Sequence, residues 1–273
     1  MTPGERPETG GSYALGRDDE VIEDLRARRL NQHNMFTQHL RFGMRVLDLG
    51  CGPGSITFAL ADLVGPGGVV GIDQDSAIIA KARETLAEEG REAADVRFEV
   101  GDAHKLPFPD ESFDAVWSQF VFMHLNEPQQ AMAEVRRVLR PGGVFGLMDY
   151  DLGLFLFEPE TELSRQRNEL FVRVQQFNGG SMHTAKRYRR MLLNAGFRAS
   201  QASAFLVSCG TLEETSKAAA GWHVFFSAQL RTAFEQGWID GSKRDELLQD
   251  LLAWGERPDS FGTNGTIIAL GFA

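Results

Sequence analysis

Two kinds of hydrophobic pattern alternate along the middle of the chain. Short apolar runs at Arg45–Leu49, Val69–Ile72, Val96–Val100, Phe113–Trp117 and Val144–Met148 read as strands. Between them, Ser55–Leu63, Ser76–Glu89 and Pro128–Leu139 place apolar residues every three to four positions and read as helices. Gly65-Pro66-Gly67-Gly68, Gly90 and Pro141-Gly142-Gly143 punctuate them. Strands separated by helices predict βαβ units and a parallel, twisted sheet. Ahead of this region, Met1–Gly11 is rich in Gly, Pro and charge and is expected to be disordered. Asp18–Leu40 carries Val21, Ile22, Leu25, Leu30, Phe36 and Leu40 near a 3.6 period and predicts a helix capped by Asp18 or Asp19. Beyond it, Leu163–Phe177, Thr184–Ala195, Leu212–Gln236 and Lys243–Trp254 read as helices, and Arg198–Ser208 and Thr266–Phe272 as strands. The expected organisation is a flexible start (1–17), a helical cover (18–43), a ligand-binding core (44–150) and a remainder (151–273) with helical insertions at about 151–182 and 210–262.

Composition narrows the classes. A chain of 273 residues, 42% hydrophobic, can bury a substantial core. The net charge of −10 disfavours nucleic acid and anionic membrane surfaces as partners. The basic run Lys186-Arg187-Tyr188-Arg189-Arg190 reads as a solvated helix face. No stretch reaches the roughly 18 apolar residues of a membrane span. Two cysteines, Cys51 and Cys209, make neither a disulfide framework nor a zinc site, so no metal is expected. The first sixteen residues have no apolar leader core. Together these features point to a soluble cytoplasmic protein; oligomeric state is left open, a homodimer being one option.

The chemistry concentrates in Val46-Leu47-Asp48-Leu49-Gly50-Cys51-Gly52-Pro53-Gly54-Ser55, an apolar strand entering a glycine-rich turn and a helix. Glycines let a ligand approach the backbone, and a helix start supplies free N–H groups and partial positive charge. A dinucleotide turn wants G-x-G-x-x-G, but the third position here is Ser55, and Pro53 removes an N–H where a pyrophosphate would sit. The loop therefore fits a ligand without a pyrophosphate better than NAD or FAD. Asp73 ends the second strand 23 residues past Gly50, the spacing at which an acidic side chain reaches a ribose hydroxyl pair.

With Gly101-Asp102-Ala103, Leu106-Pro107-Phe108, Phe113-Asp114-Ala115-Val116 and Leu139-Arg140-Pro141-Gly142-Gly143 following in order, residues 44–150 resemble the class I S-adenosylmethionine-dependent methyltransferases. The subtype looks like the ubiquinone/menaquinone-biosynthesis and related small-molecule enzymes, and Tyr13-Ala14-Leu15-Gly16 with the helix after it is similar to many of them. The resemblance implies an α/β fold: a Rossmann-like, seven-stranded, mostly parallel sheet with helices on both faces, a final antiparallel hairpin and helical cap insertions. It implies S-adenosyl-L-methionine as cofactor and S-adenosyl-L-homocysteine as product.

It also implies a division of labour. Gly50, Cys51, Gly52 and Gly54 would pack against the methionine part, with Asp48 ordering the loop from below. Asp73 would accept both ribose hydroxyls and Gln74 would lie along the adenine edge. Asp102 would accept from the adenine amine while Ala103 N–H donates to a ring nitrogen. Gln119 and Ser118 end the fourth strand where open α/β sheets bind ligands, and Tyr13 and Gln32 would contact the cofactor if the N-terminal segment folds over it. His124, Asp149 and Tyr150 are candidates for orienting or deprotonating an acceptor, each with a structural role as the alternative. The expected reaction is in-line methyl transfer, in which the protein chiefly aligns the acceptor. Of the 20 Phe, 11 fall in residues 151–273, and the inserted segments also carry Trp222 and Trp238. Phe155, Phe157, Phe171, Phe177, Phe225, Phe226, Phe234 and Phe261 with these tryptophans form either the cap's own core or the walls of an apolar acceptor pocket. Two competing readings are a methyltransferase-like protein turned to cyclisation, rearrangement or a non-catalytic role, and an NAD-dependent oxidoreductase.

Overall fold

The computed structural model describes Leu30, residues 35–90 and residues 96–273. Tyr13, Gln32, the expected disordered start and the body of the predicted first helix lie outside the described residues. The described end of that helix corrects its predicted limit. Met35 and Phe36 form a turn, Thr37–His39 a single 3-10 turn, and Leu40 is already extended. Burial overrides helical period here: Phe36 is fully buried, stacked at 5.0 Å on Trp117, so the chain bends towards the sheet.

The strands are β1 (Val46–Leu49), β2 (Val69–Asp73), β3 (Val96–Val100), β4 (Phe113–Gln119), β5 (Leu139–Tyr150), β6 (Leu156–Glu158), β7 (Ala199–Cys209) and β8 (Phe261–Phe272). The helices are α1 (Ser55–Val64), α2 (Ser76–Glu88), α3 (Pro128–Val138), α4 (Glu162–Phe177), α5 (Tyr188–Asn194), α6 (Leu212–Glu235) and α7 (Gly241–Gly255). The first five strands run parallel in the order β3-β2-β1-β4-β5. β8 pairs antiparallel with β5 on one side and with β7 on the other, the expected final hairpin. Three-residue β6 pairs with the start of β8 and adds an eighth strand, too short to show a period.

Strand alternation divides the core. Leu47, Val116, Phe145 and Leu147 point to the face covered by α3 and α5, whereas Val46, Ala115, Trp117 and Val144 point to the α1 face. A third cluster joins α4, α6 and α7 around Phe171, Phe226, Leu247 and Trp254. It is the core of a helical cap formed by the two insertions. Parallel register sets Leu49 beside Ile72 and Ser118, so the carboxyl ends of β1, β2 and β4 share one edge. The first strand order reversal, between β1 and β4, opens a crevice there.

Gly146 on β5 marks a tightly packed part of the core. A Cβ there would stand 2.6 Å from the Phe36 ring and 2.7 Å from that of Trp117. Gly146→Ala is expected to lower unfolding free energy by about 1–3 kcal/mol, the usual size of overpacking. Urea denaturation measures it, and unchanged stability would contradict the packing.

Candidate functional site

The crevice is a cavity of about 380 Å3, within the usual range for small-molecule sites. Its lining brings together Asp48, Gly50, Cys51, Gly52, Asp73, Gln74, Asp102, Ala103, Gln119 and His124 from segments scattered over the first half of the chain. Gly54, Ser118, Asp149 and Tyr150 are placed outside the lining.

The glycine loop owes its shape to left-handed backbone: φ is +74° at Gly50, +53° at Gly52 and +93° at Gly54. A Cβ at Gly50 would also lie 2.2 Å from Val121 Cγ2, and one at Gly54 2.5 Å from the Phe98 ring. Only glycine fits either position. The loop's donors are already spent. Gly50 N–H and Cys51 N–H both donate to Ile72 O, at 2.7 and 3.0 Å, and Gly54 N–H donates to Cys51 O at 3.1 Å. Gly52 N–H donates to Asp73 Oδ2 at 3.1 Å. Pro53 has none, so no N–H from residue 50 to 54 is left to cradle a phosphate.

Asp73 is buried at the end of β2. Burial pushes its carboxyl up, and N–H bonds from Asp75 (3.0 Å to Oδ1) and Gly52 pull it back down. Each oxygen keeps acceptor capacity beyond its backbone bond. Asp48 lies beneath the loop on the α1 face, where Thr57 Oγ1 donates to it at 2.6 Å. Burial pushes Asp48 up to about 7; the Thr57 bond opposes this and the Asp73 charge adds to it.

At the β3 end, Asp102 Oδ1 accepts the backbone N–H of His104 at 2.8 Å and meets its ring Nδ1 at 2.7 Å. Burial works against the Asp102 charge, but these His104 bonds outweigh it and hold the carboxyl below its usual range. At the β4 end, Gln119 Oε1 is buried with no hydrogen-bond partner among the described residues. Beyond it, Phe120 adopts φ +60°, a strained conformation that recurs at functional sites, and stacks on Tyr150 at 4.5 Å.

Asp149 sits behind the cavity, fully buried and bonded to the Tyr188 hydroxyl. Burial pushes it up to about 7, opposed by Tyr188 and by the backbone of Met123, Phe122 and Val121. Ser118 Oγ donates to Leu49 O at 3.1 Å and ties β4 to β1. Tyr150 packs between Phe120 and Phe155.

The cavity also includes Phe120, Val121, Leu125, His104, Asn126 and Asn178, which the motifs did not single out. Asn178 comes from the first insertion, so the cap helps to wall this cavity. Sequence spacing held no signal for it, because only the Gly179-Gly180 turn brings α4's end against Asn126 and Met123. None of the ten aromatics of the insertions lines the cavity. Phe157, Phe171, Trp222, Phe225 and Phe226 close on one another instead, as the cap's own core.

Residues 47–147 match the family model described as a methyltransferase domain. The ubiquinone/menaquinone biosynthesis C-methyltransferase UbiE of Stutzerimonas stutzeri is 38% identical over 111 residues, 40% of this chain and 43% of that one. The chain spans about half or less of the length of the first curated relatives it matches. Among solved structures, the YcgJ protein of Bacillus subtilis superposes with a TM-score of 0.57 at 22% identity, covering 86% of this chain and 94% of that one. The [4+2]-cyclase SpnF superposes at 0.52 with 20% identity, covering 91% and 80%. At these identities the likeness is one of fold. The resemblance drawn from the motifs is thus borne out over the matched segment.

The two carboxyls raised to about 7 make ligand-free stability depend on pH. Asp48 and Asp149 hold protons in the native state that the unfolded chain, with a carboxyl near 3.8, gives up. Their contribution is present below about pH 4 and is lost as pH rises to about 7. The melting temperature of Asp48→Asn relative to the unsubstituted protein should therefore climb between pH 4 and pH 7. A difference that stays flat or falls would contradict the burial of that charge.

Proposed function

We propose that this chain, whose residues 47–147 match a methyltransferase domain, binds S-adenosylmethionine across the carboxyl ends of β1 to β4 and methylates a small, largely apolar or aromatic molecule. One observation carries the choice of cofactor. The glycine loop has a surface for close approach but no uncommitted N–H from Gly50 to Gly54. Such a loop suits a nucleoside joined to an amino acid and does not suit a pyrophosphate, which weighs against a dinucleotide.

The donor set fits the cofactor's parts. Asp73 offers acceptor capacity on both oxygens to a ribose diol. Asp102 Oδ2, left over by His104, suits an exocyclic amine, with Ala103 beside it and Gln74 along the same edge. Gln119 Oε1 suits the cofactor's ammonium, an ionic donor that would relieve its buried, unpartnered state. When bound, the sulfonium supplies both the methyl group and its own leaving group. The chain's task is to align an acceptor and keep water out.

Phe120 and Val121 form the apolar wall at the Gln119 end, and Phe120 continues through Tyr150 and Phe155 into the cap's aromatic cluster. That continuity supports an apolar or aromatic acceptor. Of the three candidates for a base, His124 lines the cavity, so it is the one this reading keeps for an acceptor that must lose a proton. Asp149 and Tyr150 take structural roles.

Isothermal titration with S-adenosylmethionine should show binding in the micromolar to low-millimolar range; none at all sinks the reading. Asp73→Ala should weaken that binding on the order of a hundredfold, the loss of two hydrogen bonds to a charged group. Undiminished affinity would remove Asp73 from the ribose. Transfer of a labelled methyl to apolar and aromatic acceptors tests the reaction. Binding without consumption of the cofactor would favour cyclisation or rearrangement instead.

A further inference from the structure

Beside the cofactor cavity, at the end of β3, lies a turn that the motif reading leaves half explained. Asp102 to Lys105 closes through Lys105 N–H to Asp102 O at 3.1 Å. Within it, His104 commits both its backbone N–H and its ring Nδ1 to one oxygen of Asp102. Helix α3 pins the turn from behind: Gln130 Nε2 donates to His104 O at 3.1 Å, and Glu134 accepts Leu106 N–H at 2.9 Å. Arg137, paired with Glu134, holds the carbonyls of Leu106 and Phe108. The turn is therefore preorganised before any ligand enters.

Two consequences follow. Oδ1 of Asp102 is saturated by N–H donors, so the carboxylate cannot rotate to present it elsewhere, and Oδ2 becomes the oxygen offered to the cavity. Meanwhile the other ring nitrogen of His104, Nε2, is buried without a hydrogen-bond partner among the described residues, in a side chain that lines the cavity. A buried ring nitrogen without a partner is costly, and a ligand group is the economical way to satisfy it.

We propose that His104 is the nucleobase-selectivity residue of this cavity: it locks Asp102 as an acceptor facing a 6-amino purine and adds its own Nε2 to the same base edge. The inference rests on the reading of the cavity as a site for an adenosine-containing cofactor. His104 acts partly through Asp102 and is, to that extent, a positioning residue. A locked acceptor rejects a 6-oxo purine because two acceptors would be forced together, whereas a free carboxylate swings away.

Titration calorimetry with S-adenosylhomocysteine and with its 6-oxo analogue, S-inosylhomocysteine, tests this on the full chain. The unsubstituted protein should prefer the adenine ligand. His104→Ala should weaken the adenine ligand by up to roughly tenfold, the upper end for one hydrogen bond between neutral groups. It should weaken the 6-oxo ligand much less, so the preference shrinks. His104→Asn, which retains a side-chain N–H donor near Asp102, should recover part of the preference. Thermal unfolding of each ligand-free variant separates a collapsed site from a changed one. A merely structural histidine would weaken both ligands equally; a preference unchanged in His104→Ala overturns the proposal. Failure of the unsubstituted protein to bind either ligand would overturn the cofactor reading itself.

Discussion

Everything at the site hangs on where the Asp73 carboxylate is held. Its two oxygens accept Gly52 N–H and Asp75 N–H, joining the glycine loop to the end of β2. Asp75 in turn caps α2, accepting from Ala77 N–H at 2.9 Å and Ile78 N–H at 3.4 Å. One buried charge thus ties together a strand, a loop and a helix start. The N–H bonds answer the cost of burying it, and they orient its remaining lone pairs. Loosen that group and the loop is left with only its Gly50 and Cys51 bonds to Ile72 O as hydrogen-bond ties to β2.

Around this point the sheet works as a locating device. β1 lies between β2 and β4, so the loop after β1 faces acidic groups from β2 and β3 on one side and Gln119 on the other. Each side chain leaves the end of a strand whose register is set by backbone bonds, which fixes positions better than a free loop would. Helix α3 extends the same control to the turn after β3, through the paired Glu134 and Arg137.

The cap is coupled to this frame through the end of α4. Ser181 N–H donates to Met123 O at 2.7 Å, and a Cβ on Gly180 would lie 2.4 Å from that same oxygen. Close approach at Gly180 is what lets the end of α4 reach the cavity. Inside the cap, Arg167 is buried between the Phe157 and Phe226 rings and paired with Asp250 at 3.3 Å. Burial lowers the tendency of that guanidinium to hold its proton, and Asp250 counters it. A charge placed among aromatics in this way gives the cap a specific packing that apolar contacts alone would leave looser.

Local pattern determined much of this protein. The strand runs, three helices of the second half to within a residue or two, and the loop glycines with their companion acids are visible in the order of residues, because period and turn chemistry are local; the fourth, read from Thr184, begins as a 3-10 turn and becomes α-helical only at Tyr188. The left-handed backbone at Gly50, Gly52 and Gly54 is a conformational reason for glycine there, beside the room for a ligand that the sequence suggests. Other features were settled only by folding. The predicted helix does not reach Leu40, because Phe36 gains more by stacking on Trp117 than by helical geometry. Asp149 reads as a pocket residue from its strand-end position, yet it is turned to Tyr188 behind the cavity. Asn178 enters the cavity from an insertion 125 residues beyond Pro53, which no spacing rule encodes. The surplus of phenylalanine marks an apolar cap, but whether its rings face a ligand or one another depends on how three helices meet. Short-range pattern decides which elements form and which residues stand at strand ends. Long-range packing decides which way each side chain turns, since that depends on neighbours distant in sequence competing for the same buried space.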